Sequence, residues 1–186
     1  MERKALETAG ASYYTLRGLF GIPLGALLVC AGLGNLAWGP FRHLWVFWAA
    51  VAVVALVSFW IMRYYRDSYG RVTQSRRHQT KVAVLTALGA LMIWGGMTLD
   101  WKADLPVDAT AASFAAVMLV YYAATVGPRR HHAVIWGSLL LTGLVPLWGD
   151  VSGDSKINGG LILLGLVTMT SGLFDHLALK RAFAHG

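Results

Sequence analysis

The sequence predicts an all-α integral membrane protein, a six-transmembrane-helix bundle with both termini in the cytoplasm. Three observations predict it: the scarcity of charge, six apolar runs of spanning length, and a one-sided distribution of basic residues. Of 186 residues, 56% are hydrophobic and 13% charged, with a mean hydropathy of +0.55. Soluble domains carry about 25% charged residues, so this composition cannot build a water-facing surface and lipid must be the main solvent. The length suits one transmembrane domain over residues 1–186 and leaves no room for a soluble one.

A helix needs about 20 apolar residues to cross a hydrocarbon core about 30 Å thick. The runs that qualify are Leu16 to Leu36, Leu44 to Met62, Val82 to Leu99, Ala109 to Val126, Ala133 to Trp148 and Ile157 to Leu179. The fifth is the shortest, and its basic and aromatic flanks would carry it into the interfaces. The stretch after Arg17 is too long for a signal-peptide core and lacks a cleavage pattern, so the first helix is expected to stay in the mature protein.

With the amino terminus inside, 13 Lys and Arg fall on the cytoplasmic side and only Arg42, Lys102 and Lys156 outside. Short loops obey this positive-inside bias, so it orients the chain. The same bias accounts for the net charge of +7 without a nucleic-acid partner. The outer loops hold Asp100, Asp104, Asp108, Asp150 and Asp154. Trp38, Trp45, Trp48, Trp101 and Trp148 mark the outer interface, and Tyr13-Tyr14, Tyr64-Tyr65 and Tyr121-Tyr122 the inner one. Compact loops and the lack of targeting segments point to a bacterial plasma membrane.

Three outward helices end near Trp-Gly pairs at Trp38, Trp94 and Trp148, spaced 56 and 54 residues apart. Two inward helices end in Tyr-Tyr followed by Arg-Arg-His, at Arg76-Arg77-His78 and Arg129-Arg130-His131. The pattern fits three stacked helical hairpins, although interfacial belt chemistry alone would also generate it.

Function is less legible. Ion-coupled transporters commonly place ionisable groups at the membrane midplane, and no such side chain but Cys30 falls there. Arg17 opens the first helix and Asp175 sits in the last turn of the sixth, so the two could form an intramembrane ion pair if those helices touch. The alternative is that Arg17 snorkels to headgroups and Asp175 meets Lys180 or Arg181. A surface metal site from His131, His132 and His176 would want an acidic or thiol cluster beside it, which the sequence does not display. No catalytic motif, cofactor site or metal site is predicted.

The segment from Arg63 to Lys81 is the longest polar stretch, with Gly70 marking a turn between helix extensions. Arg63, Arg66, Arg71, Arg76, Arg77 and Lys81, with Arg129 and Arg130, form a candidate surface for anionic lipid headgroups or a protein partner. Gly21-x-x-x-Gly25 is a close-packing motif that suits bundle packing or a homo-oligomer seam. The leading expectation is a non-enzymatic membrane protein that binds lipid or a small hydrophobic ligand, or serves as a membrane subunit for a protein partner. Six helices, a polar amino-terminal segment and a basic loop between helices 2 and 3 also resemble, in architecture, small ABC-2-type permeases driven by a separate ATPase. The chain is short for one. An interfacial lipid-modifying enzyme is the third reading, for which the sequence offers only Asp175, His176 and the basic loops.

Overall fold

A computed structural model describes residues 13, 16–69, 76–103, 105–127 and 129–184, save the side chains at 182 and 184. Arg71, Gly70, Tyr14 and Asp104, singled out from the sequence, lie outside the described residues. The protein is all-helical, 86% helix with six α-helices and no strand among the described residues. They are α1 (Gly21–Asn35), α2 (Leu44–Tyr69), α3 (Arg76–Lys102), α4 (Ala109–Thr125), α5 (Arg130–Leu144) and α6 (Gly153–Ala184). A 3₁₀ turn, Gly18–Phe20, leads directly into α1.

Four stretches are long and apolar enough to cross a membrane: Gly18–Asn35, Leu44–Tyr69, Arg76–Lys102 and Gly153–Arg181. The other two expected spans give shorter helices. α4 has 17 residues and α5 has 15, or about 26 and 22 Å at 1.5 Å per residue. The end of α5 has a covalent cause. Val145 precedes Pro146 and takes the extended conformation (φ −67°, ψ 130°), because the proline ring disfavours helical backbone in the residue before it. The helix therefore stops at Leu144, four residues before the expected Trp148, and compensates by starting at Arg130. By contrast, α2 and α3 continue beyond their apolar cores into the basic segment between them.

α6 occupies the centre. It packs against α1, α3, α4 and α5, and its seam with α1 is the tightest in the molecule. Among the described residues the two helices of each hairpin are in contact, as are α4 and α5, but α2 and α3 do not pack on one another. The contacts of α1 on α6 and α4 on α5 tie the hairpins together more extensively than their own turns do. The hairpins therefore do not pack in chain order: the first and the second each pack against the third. Small residues explain the α1–α6 approach: a Cβ on Gly25 would stand 2.4 Å from the Gly165 carbonyl oxygen, and one on Gly165 would stand 2.5 Å from that of Gly25. Gly21 meets Thr168 and Gly172 on the same seam. The Gly21/Gly25 motif is thus engaged within the chain.

The distribution of polarity is inverted relative to a soluble protein. Asp100, Asp108, Thr110, His132, Lys156, Ser171 and Asp175 are buried, while Trp45, Trp60, Leu91, Trp94, Val134 and Leu147 are exposed. Apolar surface of this extent is stable against lipid, not water.

Candidate functional site

Two buried polar clusters and an apolar groove stand out among the described residues. The first lies where the ends of α4, α5 and α6 meet. Asp175, in α6, is 1% exposed. A buried carboxylate is costly unless its oxygens are hydrogen-bonded, and here both are. The Tyr122 hydroxyl donates to Oδ2 at 3.0 Å, and Nε2 of His131 and of His132 lie 3.0 and 2.7 Å from Oδ1. The two imidazoles open α5, with ring centroids 4.1 Å apart. His132 also stacks on Tyr122 at 3.6 Å. One turn before Asp175, Ser171 accepts a bond from the Trp136 indole at 3.2 Å. Glycine at position 18 leaves room for the carboxylate, since a Cβ there would stand 2.6 Å from Asp175 Cβ.

Arg17 and Asp175 are carried to the same end of the bundle by the α1–α6 seam, but each has other neighbours. The Arg17 guanidinium lies 5.2, 5.6 and 5.3 Å from the ring centroids of Tyr13, Phe20 and Tyr65, an arrangement stabilised by the ring quadrupoles. His176 turns away from His131 and His132 and places Nδ1 3.1 Å from the Tyr65 hydroxyl. That hydroxyl also accepts the Leu19 backbone N–H at 3.2 Å. The grouping of His131 and His132 with His176 is therefore corrected: Asp175 is their partner. A helical step of about 100° separates Asp175 from His176, so the two face different clusters.

The second site is at the opposite end. Asp100, near the end of α3, accepts the Ala109 N–H at 2.9 Å and both the N–H and hydroxyl of Thr110 at 2.6 Å. Asp108 caps α4 by accepting the Ala111 N–H at 2.8 Å. Together they satisfy the donors that a helix start leaves free. Lys156 is buried beside them and donates to the Leu105 carbonyl. Burial pushes the Asp108 carboxyl up to about 6; its bond from Ala111 opposes this and the neighbouring Asp100 adds to it. The sequence places these acids in an outer loop and shows nothing of their burial. Only the spacing of Asp108 before an apolar helix start hinted at the cap.

The third is an apolar groove of about 390 Å³ between α3 and α4, lined by Leu85, Gly89, Ile93, Phe114, Val117 and Tyr121 among others. Lys81, one turn before Leu85, reaches across to the carbonyl oxygen of Ala124. The basic residues are divided around the molecule. Arg76, Arg77 and Lys81 are exposed at the start of α3, close to the α4–α5 turn with Arg129 and exposed Arg130. Arg63 and Arg66 belong to α2, which packs on α1, and both lie 3.6 Å from Asp67.

No family model matches this chain, and no curated protein or solved structure is significantly similar to it. The functional reading therefore rests on the geometry of these sites.

Proposed function

We propose that this chain is a non-enzymatic six-span protein of a bacterial plasma membrane, with both termini cytoplasmic, that holds an anionic lipid against α3 and α4. The observation that carries the reading is the groove between those helices. It is apolar along its length, it opens on the outer surface of the bundle, and its volume of about 390 Å³ lies in the range of small-molecule sites. Lys81 supplies a cation at one end. An ammonium has three donors, so its bond to Ala124 leaves two for a phosphate. Arg76, Arg77 and Arg130 supply further positive charge at that end, and juxtamembrane basic residues attract anionic headgroups. In this reading the 17- and 15-residue helices α4 and α5 cross with their flanking residues in the interfaces, which bilayers accommodate at modest cost.

Native mass spectrometry with phosphatidylglycerol and phosphatidylcholine tests the ligand. A preferential phosphatidylglycerol adduct is expected, reduced by Lys81→Gln and by Ala90→Phe, which fills the groove. Equal adducts from both lipids would remove the basis for the reading. Topology is tested in a Cys30→Ser background by thiol labelling from outside the cell. Ser152→Cys should react, and Arg77→Cys should react only after permeabilisation.

A further inference from the structure

We infer that His131, His132 and Asp175 form a binding site for a divalent transition-metal ion of the zinc class. The inference is independent of the lipid reading and rests on a different part of the molecule. One potential ligand atom from each residue lies within 4.8 Å of the other two. Two imidazoles and a carboxylate are a donor set for zinc, cobalt, nickel or ferrous iron, whereas magnesium and calcium prefer all-oxygen surroundings.

The geometry needs little adjustment. Ligands about 2.0–2.1 Å from a tetrahedral metal stand about 3.3 Å from one another. The two nitrogens now lie 3.0 and 2.7 Å from Asp175 Oδ1, so the cluster must open by a few tenths of an ångström. Binding exchanges the ring N–H bonds to the carboxylate for metal bonds, releasing any proton held on Nε2. The charge of the buried carboxylate is then balanced by a metal cation bonded directly to it.

The surroundings are already those of a ligand set. Tyr122 holds the second carboxylate oxygen at 3.0 Å, as a supporting hydrogen bond should. The stack of Tyr122 on His132 at 3.6 Å fixes the plane of a ring whose Nδ1 has no hydrogen-bond partner among the described residues. Access is from one side: His131 is 22% exposed, against 3% for His132 and 1% for Asp175. A three-ligand site approached past His131 retains an open coordination position there.

Tag-free protein in detergent, stripped with chelator, should bind one equivalent of Co(II) per chain. Visible absorption bands of low-symmetry cobalt should appear and be displaced by Zn(II) but not by excess Mg(II). His132→Gln and Asp175→Asn should weaken binding at least tenfold. If either fails to fold, His131→Gln, at the accessible edge, should still fold and show the same loss. His43→Gln, outside the cluster, should bind like the parent. Absence of a cobalt spectrum in folded protein, or full binding by folded His131→Gln and His132→Gln, would overturn the assignment.

Discussion

Asp100 grips Thr110 by two bonds to one oxygen: Oδ2 accepts both the backbone N–H and the hydroxyl, each at 2.6 Å. The carboxylate belongs to α3 and the donors to the first turn of α4. One helix therefore caps the next across a short loop. The helix dipole favours this placement, since a negative charge stands at the positive end of α4.

Replacing that carboxylate should be felt locally. Asp100→Ala is expected to cost about 2 kcal/mol, the upper range for a lost helix cap, because the amides of Ala109 and Thr110 are left without acceptors in a buried setting. Hydrogen exchange should accelerate at α4 residues 109 and 110 well before it does in α6. Unchanged exchange there would mean that the loop, not Asp100, holds the helix start.

Asp108 should make stability depend on pH. Its folded value of about 6 lies above the ordinary 3.8, so the folded protein holds this proton more tightly than the unfolded chain. The stabilising contribution is complete below about pH 4 and is lost as pH rises towards 6, with a slope of at most about 1.4 kcal/mol per pH unit. Asp108→Asn retains a cap oxygen and should flatten that part of the curve. Parallel thermal-unfolding profiles for parent and variant between about pH 4 and 6.5 would contradict the assignment.

The glycines should divide into two classes. Cβ atoms at Gly25 and Gly172 would stand 2.4 and 2.3 Å from backbone oxygens of Gly165 and Gly18, where α6 meets α1 and the 3₁₀ turn that leads into it. At Gly95 and Gly137, by contrast, nothing lies within 4 Å. Gly25→Ala and Gly172→Ala are expected to destabilise by about 1–3 kcal/mol through overpacking. Gly95→Ala and Gly137→Ala should be neutral or gain up to about 1 kcal/mol of helix propensity. Melting temperatures of the four variants in one detergent provide the comparison.

Asp175 shows why the site was harder to read than the helices. From the sequence it was a charge near the end of a span, with Arg17 or a basic neighbour as its partner. Its hydrogen bonds come from residues 53, 44 and 43 positions away. His131 and His132 stood out as adjacent histidines after a basic pair, but no local rule links them to an acid 44 and 43 residues away in the next helix. The burial of Asp100 and Asp108 was likewise not legible, because it depends on what covers a loop and not on the loop's composition.

The sequence alone determined that the protein is helical and membrane-suited, and approximately where its helices lie. Hydropathy sums along the chain, and a helix satisfies its own backbone within one segment, so both properties are local. Even the early end of α5 is local, set by Pro146. Only the tertiary structure decided that α6 is central, that the Gly21/Gly25 face meets α6 of the same chain, and that Tyr122, His131, His132 and Asp175 share one buried centre. Those outcomes depend on which helix faces fit closely enough to exclude lipid, a property of pairs of surfaces distant in sequence.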